Sequence, residues 1–192
     1  MGVGAIVALV VLAVVVIVLV WAVMAYNRLV TLRNRVENGY SQIDVQLKRR
    51  TDLVPNLIET VKGYATHESQ VFQNVTEARA EAMKAADSVS ATPADRAQAE
   101  SALTNALLAL KATAEAYPDL KANQNFLQLQ DQLSDLEQKI AYARQFYNDV
   151  VQKLNTAIQT FPSNVIAGMF HFAPGQYFQV AEADRQVPQV KF

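Results

Sequence analysis

The stretch MGVGAIVALVVLAVVVIVLVWAVMAYN, residues 1–27, contains no charged side chain, and ten of its first twenty-five residues are valine. A helix rises about 1.5 Å per residue and a hydrocarbon core is roughly 30 Å thick, so about 20 apolar residues cross it. Positions 3–25 supply that length. In lipid an unpaired backbone amide costs several kcal/mol, and a helix is the one single-segment conformation that pairs them all. Val7, Val11, Val15, Leu19 and Trp21 are therefore expected to be membrane-embedded, with Trp21 and Tyr26 near the water interface. A cleaved signal peptide is the competing reading, with Val23, Met24 and Ala25 as a small-residue cleavage site. Against it, no Lys or Arg precedes the run, and the run exceeds the roughly 7 to 15 residues of a signal core. Arg28, Arg33 and Arg35 follow directly. Positive flanks stay in the cytoplasm, so the expected topology is single-pass in the bacterial inner membrane, N-terminus outside and body cytoplasmic. The same three arginines are candidates for lipid headgroup contact.

Outward from this anchor the chain reads as all-α. Gly and Pro number six each, and cysteine is absent, which excludes disulfides, thiolate metal sites and cysteine nucleophiles. Residues 28–50 hold six Lys or Arg against two acids, and the rest of the body is net acidic. No basic face large enough for nucleic acid is present, so no nucleic-acid partner is expected.

From Leu29 the apolar positions Leu32, Val36, Tyr40, Ile43, Leu47, Val54, Leu57, Val61, Phe72 and Val75 step by helical intervals along one amphipathic face. Pro55 predicts a kink or restart near 51–55, with Asp52 as N-cap and helix resuming to about Asp87. Thr92, Pro93 and Asp95 read as N-cap, first-turn proline and capping box of a second helical stretch, which Pro118 stops or kinks. The strongest periodicity comes last. Phe126, Leu133, Ile140, Tyr147, Leu154 and Phe161 recur every seven residues, as do Leu129, Leu136, Ala143, Val150 and Ala157. Two filled seam positions over five heptads demand helical partners. The expected fold is an N-terminal transmembrane helix (1–27), then a long antiparallel helical hairpin or four-helix up-and-down bundle (28–161), then an irregular, aromatic, proline-containing tail (162–192). That tail docks on the bundle or on a neighbour through Phe170, Phe172, Tyr177 and Phe178, with Phe192 at its end.

The blocks YNRLVTLRNRVENGYSQIDVQLKRRTDLVPNLIETVKGYATHE (26–68), EQKIAYARQFYNDVVQKLNTAIQTFPSNVIAGMF (137–170) and PGQYF (174–178) resemble the LemA family of bacterial membrane proteins. The resemblance implies a single-pass, N-out protein with a cytosolic helical bundle and a poorly defined molecular role. In place of the family's frequent repeated Tyr-Asn pair, this chain has Tyr147-Asn148 and then Leu154-Asn155. Asn155 keeps the amide, so the contact expected to be missing is that of the tyrosine hydroxyl.

Chemistry for catalysis is not legible. His67 and His171 lack metal-ligand spacing, and no glycine-rich turn or nucleophile elbow frames a serine. No cofactor, metal or catalytic residue is expected. Lys48, Arg49 and Arg50 lie about 30 Å along the helix from Arg28, several times the roughly 8 Å Debye length, so ion pairing with Asp44, Asp52 or acids on the antiparallel partner is expected before lipid contact. Asn34, Asn38, Asn56, Asn148 and Asn155 are poor helix formers beside apolar seams. They are candidates for interhelical hydrogen bonds that fix register, with Glu137 and Arg144 in the same network; simple exposure is the alternative. These features point to a membrane-anchored, non-enzymatic scaffold with the lipid bilayer and further copies of itself as partners. The alternative is an adaptor presenting bundle or tail to a membrane protease, kinase or other membrane complex.

Overall fold

The computed structural model describes residues 2–179 and contains six helices among them: α1 (Val3–Lys62), α2 (Ser69–Asp87), α3 (Pro93–Glu115), α4 (Pro118–Lys121), α5 (Gln124–Gln159) and α6 (Ser163–Met169). The fold is all-α among the described residues. Phe192 and the rest of 180–192 lie outside them.

Helix α1 is a single 60-residue element. The side chains from residue 3 to residue 20 are exposed all round, as lipid-facing positions are. The expected break at Pro55 does not occur. Proline lacks the N–H that would bond the carbonyl of Thr51, and burying that carbonyl unpaired is costly. Arg79 of α2 supplies the missing donor, its Nε lying 2.8 Å from the Thr51 carbonyl oxygen. The helix therefore continues through the proline. Asp52 caps nothing and pairs with Lys48 one turn back at 3.4 Å. The break falls later, at residues 63–68, where Val61 O accepts from the amides of both Tyr64 and Ala65.

The second half matches its punctuation. Thr92 accepts from the Asp95 amide while the Asp95 carboxylate accepts from the Thr92 amide, and Pro93 occupies the first turn. This hydrogen bonding holds the Asp95 carboxyl below its ordinary value. Helix α3 stops before Tyr117, and Pro118 opens the short α4.

The chain divides into two compact units. Unit 1 is Met1–Asn38 with Asp149–Gly175; unit 2 is Gly39–Asn148 with Gln176–Phe192. Unit 1 closes over Leu29 and Leu32 of α1, Leu154 and Ala157 of α5, and Ile166 and Ala167 of α6, with Trp21, Ala25 and Phe172 packed at the edge. Unit 2 has the larger core, formed by Val54 to Val61 of α1, Phe72 to Ala82 of α2, Leu103 to Ala114 of α3, Leu120 of α4 and Phe126 of α5. Along α5 the two heptad series are buried or half-buried from Phe126 to Ala157. Phe161, the last member of its series, is 77% exposed because α5 ends at Gln159 and the chain turns through Pro162 into α6.

Candidate functional site

In unit 1 a cleft of about 650 Å³ opens between α1 and the α5–α6 corner. Its α1 wall is Trp21, Met24, Ala25, Arg28 and Leu29; its other wall includes Lys153, Thr156 and Phe161. No Asp or Glu lines it. Helix α6 closes this corner with a Schellman turn. The Phe172 amide donates to Ala167 O and the His171 amide to Gly168 O, with His171 at φ 55°, in the left-handed region. The turn directs the tail back along α1, where Tyr26 packs against Phe170 (ring centroids 4.7 Å) and Phe172 (5.9 Å). Arg33 lies over the Phe172 ring at 5.8 Å and near Glu37 at 3.9 Å, while Arg28 and Arg35 are exposed.

Of the candidate asparagines, Asn148 and Asn155 clamp the tail rather than a neighbouring helix. In unit 1, Asn155 Nδ2 donates to Gly175 O at 3.0 Å and its Oδ1 accepts from the Gly175 amide at 2.8 Å. In unit 2, Asn148 makes the same pair of bonds with Phe178, at 3.2 and 2.9 Å. A carboxamide imitates a strand backbone here, offering one donor and one acceptor to an extended segment. The Tyr147 hydroxyl adds a bond to Gln176 O at 2.7 Å, and burial with the neighbouring Tyr40 pushes this phenol up to about 12. Leu154 has no hydroxyl and instead joins the unit 1 core. Phe178 is 2% exposed with the Arg144 guanidinium 5.3 Å from its ring centroid, whereas Tyr177 remains at the surface. Asn34, Asn38 and Asn56 are exposed. Arg144 thus serves the tail, while Glu137 belongs to a different network.

That network is the polar centre of unit 2. Arg50, 2% exposed, donates to the Glu100 carboxylate and carbonyl, to Thr104 Oγ1 at 2.9 Å and to Glu137 Oε1 at 2.6 Å. Four residues earlier on α3, Arg96 pairs with Asp44 and donates to the Tyr40 hydroxyl at 3.0 Å. Burial pushes the Glu100 carboxyl above its ordinary value, against the opposing pull of Arg50. Hydrogen bonds to Tyr40 and Asp44 raise Arg96 further despite its burial. The Nη groups of Arg50 and Arg96 are directed at carboxylates, hydroxyls and a backbone carbonyl, while Arg50 Nε is buried without a hydrogen-bond partner among the described residues. Arg96 and Glu100 were legible in principle. They continue the seven-residue pattern of Leu103, Leu107, Leu110 and Ala114 in α3, so charges stand at seam positions. Among the described residues no cluster of three His, Asp or Glu could hold a metal ion.

Fold and sites together define a class: an all-α domain carried on one N-terminal helix long and apolar enough to cross a membrane. The chain belongs to the LemA family, whose profile matches residues 39–192. It is similar to Protein LemA of Metamycoplasma hominis, 26% identical over 83% of this chain and 71% of that protein. It is also similar to Magnetosome protein MamQ 2 of Paramagnetospirillum magneticum, 27% identical over 93% of this chain and 74% of that protein. Magnetosome protein MamQ of Magnetospirillum gryphiswaldense is 25% identical over 81% of this chain and 65% of its own length. None of these relatives is named as an enzyme.

Proposed function

We propose that this protein is a non-enzymatic helical scaffold, anchored with its N-terminus outside and its body at the cytoplasmic face of a bacterial inner membrane, where copies associate and organise the bilayer. The observation that carries this reading is α1: one uninterrupted helix joins the apolar run to Lys62, with Pro55 accommodated by Arg79. Within unit 1, an anchor that continues as helix transmits orientation at its membrane end to Leu29 and Leu32 in the core, which a hinge would dissipate. Two of the relatives carry the magnetosome in their names; for this chain the corresponding proposal is the general one of membrane organisation, without a cargo. The bilayer and further copies of the chain are the partners, and no nucleic acid is expected.

The test is the mass of detergent-purified full-length protein, by light scattering or native mass spectrometry. A scaffold gives a defined multi-copy assembly. A monomer or dimer would overturn self-association and favour the adaptor, which presents the bundle or tail to another membrane complex. Protease added to intact spheroplasts checks the orientation: a cytoplasmic body stays protected, and complete digestion would reverse the topology.

A further inference from the structure

The unit 1 cleft combines three properties at one level of the molecule. First, it spans the end of the apolar run and the first cation. Trp21 and Arg28 stand seven residues apart, about 10 Å along the helix, which is the thickness over which a bilayer passes from acyl chain to headgroup. Second, its lining carries two cations and no carboxylate. Arg28 and Lys153 come from different helices and have no ion pair or hydrogen bond among the described residues, and no carboxylate lines the cleft. The Arg33, Lys48, Arg50 and Arg96 side chains, in contrast, all have acidic neighbours. Third, its rim is apolar and exposed. Phe161 is 77% exposed, and Val165, Met169 and Phe170 on and beside α6 are all more than half exposed. The Tyr26–Phe170 contact sets the end of α6 against the residue where the apolar run stops.

We infer that this cleft is a binding site for one anionic phospholipid, with the phosphate held by Arg28 and Lys153 and an acyl chain lying along Trp21, Met24 and the exposed Phe161 ring. Cations at the headgroup level favour anionic over zwitterionic lipid, and the apolar rim is continuous with the surface that already faces acyl chains. Phe161, a seam position by sequence spacing, is thereby turned to a lipid contact. The site rests on the reading of residues 3–25 as a membrane span.

Trp21 is the one tryptophan in the chain and lines the cleft, so it reports the site directly. The full-length protein is reconstituted in mixed phosphatidylcholine–phosphatidylglycerol vesicles. In one series the neutral lipid carries bromine on its acyl chains, in the other the anionic lipid, at equal bromine content. Bromine quenches Trp21 on contact. The expected result is stronger quenching by the brominated anionic lipid, corresponding to relative association that falls on the order of fivefold with each cation removed in Arg28→Gln and Lys153→Gln. Lys153→Gln is the decisive variant, because it leaves the charges flanking the span in place. Arg35→Gln should retain the preference. Equal quenching by both lipids would overturn the site while leaving the span intact, and absence of quenching by either would overturn the span and the site together. Loss of the preference on adding inorganic phosphate to the wild type would identify a free-anion site and overturn the phospholipid assignment.

Discussion

Units 1 and 2 handle positive charge in opposite ways. In unit 2 the two most buried cations, Arg50 and Arg96, are surrounded by acids and hydroxyls of other helices. In unit 1 Arg28 and Lys153 stand at an apolar cleft with no acid in its lining. A buried charge must be paired where it sits, because desolvation costs several kcal/mol that only a close counter-charge and full hydrogen bonding offset. An exposed charge can be left for a ligand at no cost to the fold. The contrast separates cations that specify the bundle from cations available to something outside it.

The comparison breaks most visibly at Arg50. Arg50→Met leaves the buried Glu100 carboxylate without its counter-ion, and a loss of about 3–5 kcal/mol in denaturant unfolding of the body is expected. Glu100→Gln is milder, since Glu137 still neutralises Arg50. Its pH dependence carries a sign. Glu100 titrates above its ordinary 4.5 in the fold because burial outweighs the attraction of Arg50. The folded state therefore binds this proton more tightly than the unfolded chain does. The contribution to stability is fully present below the unfolded pKa and is lost as pH rises through the folded one. Wild type should accordingly lose stability relative to Glu100→Gln as pH rises from acid toward neutral. A difference that stays flat across that window would remove Glu100 as a titrating group.

Next in size come the backbone groups that single side chains satisfy. Arg79→Met exposes the Thr51 carbonyl that Pro55 cannot pair, with an expected cost of about 1–3 kcal/mol. In a Pro55→Ala background the N–H returns and the same Arg79 substitution should cost far less. Additive losses in that double-mutant cycle would show that Arg79 acts elsewhere. The tail clamps compare the units directly. Asn148→Ala leaves the Tyr147 hydroxyl on Gln176 and Phe178 in its buried position; Asn155→Ala leaves no hydroxyl, because Leu154 stands where a tyrosine would. Hydrogen exchange at the Gly175 amide in Asn155→Ala should rise more than exchange at the Phe178 amide in Asn148→Ala.

How far these features could be read in advance depends on their range in sequence. The apolar run, the Thr92–Asp95 capping box and the heptads of α5 are local patterns with one physical solution each, and the fold has them. Pro55 misleads because its remedy, Arg79, stands on another helix beyond a turn. Asn148 and Asn155 stand out as anomalous helix residues, yet their partners are backbone atoms of a segment without periodicity. Phe161 fits the heptad arithmetic and fails it in space, since the helix has already ended. Arg50, Glu100 and Glu137 assemble from three helices, and only packing decides which of several charges become buried.

The smallest expected effect is the one that most sharpens the contrast between the units. If the cleft cations of unit 1 belong to a ligand and not to the fold, Arg28→Gln and Lys153→Gln should each leave the thermal stability of the detergent-solubilised protein within about 0.5 kcal/mol of wild type, as surface substitutions away from specific contacts do. Adding anionic lipid to the same samples should then raise the wild-type midpoint more than that of either variant, since a ligand that binds only the folded state stabilises it by an amount that grows with the logarithm of its concentration relative to Kd, and the tighter binder gains more at a given lipid concentration. Arg50 would show the reverse signature, with a large loss that no lipid restores. A destabilised Lys153→Gln without lipid would mean that this side chain serves the unit 1 core, and the division between paired and available cations would no longer follow the division into units.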